Sequence, residues 1–285
     1  MAHLPSGGLL LLVAVVALLT GAALGVTEDP CPETTGLRQS PVDLNLCADT
    51  RQPAQEPLKV SNFDQTPATM TLTNTGKQVF ADITWAVGSR QLPQISGGQL
   101  PGVFVPLGFI LHWGAHLTSG SEHSVNGRFF PAELYLLCRN ILYTSNEEAH
   151  QNIDGLAGIT VFFEHRDLKI FRRRGLAMLA PELASIRNAS SSVRVAAPPS
   201  LRSLLPWSLQ RFVTYRGSAT ALPPCPESVT WVSLLTPVPV LAIELQQLRQ
   251  LEDAEGRPLE SSVRRPQFPL NGRTLYTKGV TPICV

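Results

Sequence analysis

Three short segments near the middle of the chain carry side chains that could do chemistry. They hold His112, Glu122, Glu133 and Tyr135. An imidazole can bind a metal ion or move a proton, and a carboxylate beside it can orient the ring. On a β-strand, side chains two residues apart share a face, so residue 110 would face the same metal ion as His112 and could be a second ligand. Position 110 is isoleucine, which has no electron pair to donate.

Short β-type runs between glycine, proline and asparagine residues predict the strands that would position these side chains. The strand candidates are Leu58–Val60, Met70–Asn74, Val79–Ile83, Phe109–Trp113, Ala132–Leu137, Leu156–Glu164 and Val229–Leu235. The run Leu156–Glu164 is continuously apolar, which is typical of a strand buried on both faces. Pro106 interrupts another apolar run and favours the start of a strand or a sheet edge.

The helical signal is thinner. Leucines at helical spacing predict one helix over Leu241–Leu251, and a second candidate, Leu176–Ile186, is interrupted by Pro181. Segment 190–206 is rich in serine and proline and predicts a surface loop. Together the patterns predict a mainly β protein with a single domain over residues 26–285.

Eight segments of the chain resemble the α-class carbonic anhydrases. In chain order they are Gln39–Asp43, Phe109–Gly114, Gly120–His123, Pro131–Leu136, Asp154–Ala157, Tyr215–Thr220, Val229–Trp231 and Pro269–Arg273. Each segment is short, but together they occur in the family's order over most of the chain. The resemblance implies a large, twisted, mostly antiparallel central sheet with a few peripheral helices.

The resemblance also implies which residues would hold the family's catalytic zinc. The three matching positions are Ile110, His112 and Tyr135, where the family has three histidines. Zinc sites in proteins use cysteine, histidine, aspartate or glutamate, and a phenol with an ordinary pKa near ~10 is a poor substitute. We therefore expect no zinc and no metal-bound hydroxide, with His112 serving as a satisfied core residue.

Further site residues follow from the same resemblance. Thr220 matches the hydroxyl that orients the zinc-bound hydroxide, and Glu122 matches the carboxylate that accepts its hydrogen bond. Glu133 matches the carboxylate that orients the third histidine, and here it could accept a hydrogen bond from Tyr135 instead. These carboxylates become structural relics, because a buried carboxylate without a partner is costly.

Two more departures from the family weaken the case for catalysis. Lys77 occupies the position where many active members place a proton-shuttling histidine, and lysine is a poor shuttle at neutral pH. The CO2 pocket would be lined partly by Leu137, Gly158 and Ala219. Gly158 and Ala219 are smaller than the family's residues, so we expect a reshaped pocket.

The sequence thus predicts a secreted pseudoenzyme without a cofactor, which acts as a binding or structural module for an extracellular protein or matrix component. The alternative is an active extracellular zinc enzyme that hydrates CO2 with a rebuilt metal site. It would need His112 and two substitute ligands, for which His116 and His123 are nearest. A third possibility is a storage or matrix protein that uses the same fold for bulk.

The amino-terminal residues predict secretion. Residues 8–24 form an uncharged apolar run followed by small residues, which indicates a signal peptide over residues 1–25. The alternative is an uncleaved anchor helix, and no other segment has the length of a membrane span. In a secreted chain, Asn188-Ala189-Ser190 is a sequon for N-glycosylation.

Secretion makes disulfides permissible, and the five cysteines leave at least one thiol without an intramolecular partner. In secreted members of the resembled family, a disulfide staples the loop that carries the active-site threonine to the amino-terminal region, and Cys47 and Cys225 match those positions. Cys138 is expected to be a buried free thiol. The sequence leaves open whether Cys31 and Cys284 pair with each other or with another chain.

A net charge of +1 provides no global field that would attract nucleic acid. One local cluster is basic: Arg166, Lys169 and Arg172 to Arg174. It could bind a sulfated glycan or another anionic partner, or be an ordinary solvated segment. The oligomeric state does not follow from the sequence.

Overall fold

The computed structural model describes residue 31 and residues 36–86, 92–167, 174–221, 225–259 and 265–281. The predicted signal peptide, residues 1–25, lies outside these described residues. Strands dominate the regular structure. They are β1 (Asp43–Leu44), β2 (Arg51–Pro53), β3 (Leu58–Ser61), β4 (Thr69–Asn74), β5 (Val79–Thr84), β6 (Gln94–Gly97), β7 (Phe104–Trp113), β8 (Ser124–Val125), β9 (Ala132–Asn140), β10 (Leu156–His165), β11 (Ser192–Arg194), β12 (Phe212–Gly217), β13 (Val229–Val240) and β14 (Leu275–Lys278).

Among the described residues, twelve of these strands form one large sheet. Its main path runs β11-β4-β5-β7-β9-β10-β13-β12-β14-β2, and β3 joins it through β6, which also pairs with β7. Neighbouring strands run antiparallel except at β10–β13 and β14–β2. A separate small sheet pairs β1 with β8 in parallel. The mainly β fold with a mostly antiparallel central sheet is confirmed.

A few short helices lie outside the sheet. The α-helices are Asn146–Gln151, Ala180–Leu183, Leu201–Leu204 and Ala242–Arg249, and the 3-10 helices are Gly175–Met178 and Ala184–Ile186. In the described parts of the chain, none of them has both the length and the apolar character that crossing a bilayer requires. The predicted helix at Leu241–Leu251 is confirmed in shortened form, whereas the candidate around Pro181 is divided into several short helices.

One detail of the sequence prediction needs correction. Segment 190–206 is not only a loop, because it contains β11 and the helix Leu201–Leu204. Of the two alternatives predicted for Pro106, the start of a strand is confirmed, because this residue lies near the start of β7, a central strand. The pairing of β7 with β9 shifts register between Pro106 and Gly108, so an irregularity in the ladder accommodates a residue that has no amide hydrogen.

The alternation of side chains along the central strands separates two cores. On β7, Phe109 and Leu111 belong to the larger core, while Ile110 faces the second, smaller one. On β9, Leu134 belongs to the larger core and Tyr135 to the smaller one. The residues singled out for chemistry therefore lie on the face of the sheet that packs into the smaller core.

Candidate functional site

Strands β7 and β9 bring the candidate site residues together. In their antiparallel register, Ile110 lies directly opposite Tyr135 and His112 lies opposite Glu133. Directly opposed residues share a face of the sheet, as do residues two apart on one strand. All four side chains therefore converge on one side, as the sequence predicts for the family's metal-ligand positions.

Tyr135 is a buried hydrogen-bond donor. Its hydroxyl group donates to Oε2 of Glu122 at 2.8 Å and lies 3.2 Å from Oε2 of Glu133. Burial, reinforced by these two carboxylates, raises the pKa of Tyr135 well above its ordinary value. The phenol is therefore neutral near pH 7, and its proton points toward a carboxylate.

His112 is the one imidazole at the three ligand positions. It is buried, and its ring packs at a tilt against that of Tyr135 with 4.8 Å between centroids. Its Nε2 atom has no hydrogen-bond partner, since the nearest carboxylate oxygen, Oε2 of Glu122, is 3.9 Å away. His112 is thus a core residue, as predicted, but its Nε2 is not satisfied.

Glu133 organises a second part of the buried network. Its Oε2 accepts hydrogen bonds from the amides of Glu122 and His123 at 2.6 and 3.1 Å. The ring of His123 lies between Glu133 and Tyr215, with Nδ1 2.9 Å from Oε1 of Glu133 and Nε2 2.6 Å from the hydroxyl oxygen of Tyr215. Both ring nitrogens are thus engaged inside the protein, a role for His123 and Tyr215 that sequence reasoning missed.

Glu122 does not make the contact that the resemblance implies. Its two oxygens accept from the Tyr135 hydroxyl and from the backbone amide of Arg265 at 3.1 Å, and no hydrogen bond joins it to Thr220. Thr220 instead lines the neighbouring cavity. The position of Arg265 became visible only in the structure, because 143 residues separate it from Glu122.

The segment that begins at Gln39 clamps the loop that carries Thr220. The amide of Ser40 donates to Oγ of Ser218 at 3.0 Å, and the amide of Ser218 donates to Oγ of Ser40 at 3.1 Å. The buried guanidinium group of Arg265 donates to Oε1 of Gln39 and to the carbonyl oxygen of Ser40. The Gln39–Asp43 signature therefore has a structural function beside the site.

The disulfide that closes this clamp joins Cys31 to Cys225. The predicted pairing of Cys47 with Cys225 is wrong, as is any pairing of Cys31 with Cys284. The residues before Ser40 run along the Thr220 loop, where Arg38 and Gln39 both bind Glu227. The chain then enters β1, which pairs with β8.

Cys47 is also disulfide-bonded, and Cys284 lies outside the described residues. Cys138 is buried and free, as predicted. Burial raises the pKa of its thiol above the ordinary value, so it stays protonated and chemically inert at neutral pH.

A cavity of about 50 Å³ lies beside Ile110 and Tyr135, with Leu137, Ala219 and Thr220 in its wall. Most of its lining is apolar. Leu137 and Ala219 line it as expected.

Gly158 does not enlarge this pocket. A Cβ atom at residue 158 would lie 2.5 Å from atoms of the Trp231 ring, so the indole occupies the space that a larger side chain would need. The same ring packs against Tyr135 at 4.8 Å and against His123 at 5.1 Å between centroids. Trp231 therefore helps to fill the region beside Tyr135.

Two predicted site residues lie away from this cavity. Lys77 is exposed in the turn between β4 and β5 and is not part of the cavity wall. Asn188 is exposed in a turn just before β11, where its carbonyl oxygen accepts from the amide of Ser191. Its position suits a glycan sterically, and its glycosylation stays a prediction.

The profile of the eukaryotic-type carbonic anhydrase family matches residues 27–279. This chain belongs to the eukaryotic-type carbonic anhydrase family. It is 32% identical over 249 residues to carbonic anhydrase 7 of Mus musculus, covering 86% of this chain and 89% of that protein. It is 35% identical over 253 residues to carbonic anhydrase 3 of Bos taurus, covering 85% of this chain and 90% of that protein. With the putative carbonic anhydrase 3 of Caenorhabditis elegans it shares 32% identity over 265 residues, covering 90% and 98%.

The donor atoms of this family member do not fit the zinc ion that the family implies. Ile110 offers no lone pair, and the oxygen of Tyr135 carries a proton that is donated to Glu122. His112 alone supplies a free nitrogen. Tight zinc binding takes three or four donors from nitrogen, sulfur or carboxylate oxygen, so one imidazole is insufficient.

Proposed function

We propose that this member of the carbonic anhydrase family holds no catalytic zinc, does not hydrate CO2, and acts as a secreted binding module. The observation that carries the proposal is the hydrogen bond from the Tyr135 hydroxyl to Glu122, at a position where the family places a metal ligand. A donor hydrogen in that place repels a cation instead of coordinating it. Ile110 removes a second ligand from the same face.

The secreted location draws on two features. The apolar run over residues 8–24 is typical of a signal peptide, and the disulfide between Cys31 and Cys225 is favoured in oxidising compartments. With its chemistry lost, the scaffold keeps a large rigid surface. A binding or structural function for an extracellular protein or matrix component uses that surface and does not need the metal.

The alternative, an active extracellular zinc enzyme with a rebuilt site, draws on the names of the relatives. It needs two new ligands near His112. His116 is exposed in the turn after β7, and both ring nitrogens of His123 are engaged with Glu133 and Tyr215. Neither histidine is poised beside Nε2 of His112, which disfavours this alternative.

The test combines metal analysis with an activity assay on one sample. The full secreted chain is purified without chelators, its zinc content is measured by mass spectrometry, and CO2 hydration is followed by stopped flow. Carbonic anhydrase 7 of Mus musculus, purified in the same way, serves as the reference. We expect zinc far below one equivalent and hydration at the buffer rate. One equivalent of zinc together with catalysed hydration would overturn the proposal in favour of the active enzyme.

A further inference from the structure

Trp207 is an exposed tryptophan in a defined setting. Its side chain is 68% exposed, whereas Trp113 and Trp231 are buried. It follows the helix Leu201–Leu204, and the guanidinium group of Arg174 covers one face of its indole, with 3.7 Å between the guanidinium carbon and the ring centroid. Since most of the side chain is exposed, the opposite face is open to solvent.

Two arginines hold the backbone that carries this ring. Arg174 donates through Nη2 to the carbonyl oxygens of Leu205 and Arg202 at 2.9 and 3.1 Å. Arg202 donates to the carbonyl oxygens of Pro206 and Trp207, both at 2.8 Å. The indole is therefore preorganised, and a ligand that stacks on it would lose little free energy in ordering the protein.

The position of Arg174 is itself determined by the fold. Gly175 follows it with a φ of 59°, in the left-handed region that favours glycine. A Cβ atom at that residue would lie 2.7 Å from Cγ1 of Val238. The close approach fixes the chain at the start of the 3-10 helix Gly175–Met178, which contacts the helix Leu201–Leu204.

The two positive charges beside Trp207 are uncompensated. Within the described residues, neither Arg174 nor Arg202 forms an ion pair with a carboxylate, whereas Arg128 and Arg187 pair with glutamates. The Nε atom of Arg174 is buried and has no hydrogen-bond partner. Burial and the charge of Arg202 both lower the pKa of Arg174, which shows that the two guanidinium groups repel each other. An anion at this place would relieve that repulsion.

The surroundings of Trp207 indicate a ligand of small footprint. Its neighbours Ser208, Gln210 and Arg211 are polar and exposed. A standard protein interface buries about 1,600 Å² around an apolar core, and a single ring in polar surroundings does not provide one. A flat aromatic face suits the flat C–H face of a sugar ring, and arginine is the preferred partner of sulfate-like and carboxylate anions.

We propose that Trp207, Arg174 and Arg202 form a binding site for an anionic glycan, a saccharide chain that carries sulfate or carboxylate groups. The sugar ring stacks on the open face of the indole, and its anionic groups extend past the edge of the ring toward the guanidinium groups of Arg174, on the far side of the indole, and of Arg202. The glycan site rests on the proposed function in one respect. The proposed function expects an extracellular protein or a matrix component as partner, and the glycan site identifies that partner as a matrix glycan. Of the basic cluster predicted from the sequence, Arg174 belongs to the proposed site and Arg166 pairs with Glu164. The other members of the cluster fall within residues 168–173, which lie outside the described residues.

The test uses a heparin-derived hexasaccharide and the full secreted chain. Because Trp207 is far more exposed than the buried Trp113 and Trp231 and the partly buried Trp85, acrylamide quenching of tryptophan fluorescence reports mainly on it, and we expect the hexasaccharide to reduce that quenching. Titration calorimetry should show about tenfold weaker binding for Trp207→Ala and a smaller loss for Trp207→Tyr, which keeps an aromatic face. The control Arg187→Gln, an exposed arginine that pairs with Glu252 and contacts none of the three proposed site residues, should bind as the wild type does.

Several results would overturn the site. They are unchanged quenching with bound hexasaccharide, wild-type affinity in Trp207→Ala, or equally tight binding of polyglutamate, which has the charge without the sugar rings. Tighter binding of a single-stranded oligonucleotide would also overturn it. Zinc is measured on the same samples. If the protein is free of zinc and does not bind the hexasaccharide, the glycan site is refuted and the proposed function is not. If the protein contains zinc and binds the hexasaccharide, the proposed loss of the metal is refuted and the glycan site is not.

Discussion

The hydroxyl group of Tyr135 lies 2.8 Å from Oε2 of Glu122, and both side chains are buried. This contact joins Tyr135, which matches the family's third zinc ligand, to Glu122. The resemblance implies that Glu122 would accept a hydrogen bond from Thr220 instead. Because the phenol donates to Glu122, this buried carboxylate has a partner although residue 135 is not a histidine.

Removing the Tyr135 hydroxyl should destabilise the protein. Tyr135→Phe leaves Glu122 buried with one fewer donor, so we expect the free energy of unfolding to fall by about 1–3 kcal/mol. Urea unfolding followed by circular dichroism measures it. The control is Tyr276→Phe, a half-buried tyrosine whose hydroxyl group makes no hydrogen bond within the described residues, and this variant should stay within about 0.5 kcal/mol of the wild type. Equal effects of the two substitutions would show that the Tyr135–Glu122 contact does not stabilise the fold.

Restoring both missing histidines should restore zinc binding. The double variant Ile110→His with Tyr135→His places three imidazoles on one face of β7 and β9, next to the carboxylate of Glu133. At a zinc concentration of 100 times Kd, we expect a gain in unfolding free energy of about 2.7 kcal/mol, reversed by a chelator. Each single variant should bind zinc much more weakly. A folded double variant that takes up no zinc would show that Trp231 and its neighbours fill the space in which the three histidines would bind the metal ion.

Enlarging residue 158 should displace the Trp231 ring. In Gly158→Val, the new Cβ atom would lie 2.5 Å from the indole, so we expect a loss of about 1–3 kcal/mol in unfolding free energy and a changed near-ultraviolet circular dichroism spectrum. Adding Trp231→Phe should recover part of the loss, because the smaller ring makes room. If the valine variant were as stable as the wild type, the contact between Gly158 and Trp231 would not be as close as the structure has it.

Peptide mapping under non-reducing conditions should find Cys31 joined to Cys225. Replacing both residues by serine should lower the unfolding free energy by about 2–5 kcal/mol, since the bond closes a long loop. Cys138→Ala provides a control that removes a sulfur without removing a disulfide. A peptide that joins Cys47 to Cys225 would contradict the structure and support the pairing expected from the resemblance.

Much of the fold could be predicted from local patterns. Short β-type runs predict the strands at Phe109–Trp113 and Ala132–Leu137, and a continuously apolar run predicts the strand at Leu156–Glu164. The structure confirms all three. The short strand β11 was missed because its three residues carry too little pattern to stand out from a serine-rich segment. Short elements depend on their neighbours for stability, so their own residues predict them poorly.

The chain's own residues determined which donor atoms are missing at positions 110 and 135, because coordinating ability is a property of residue type. They could not determine what replaced those donors. The hydrogen bond from Tyr135 to Glu122, the indole over Gly158, and the choice of Cys31 over Cys47 all depend on distances between residues far apart along the chain, 194 positions apart for the disulfide. Such distances exist only once the sheet has assembled, and for that reason the tertiary structure alone decided them.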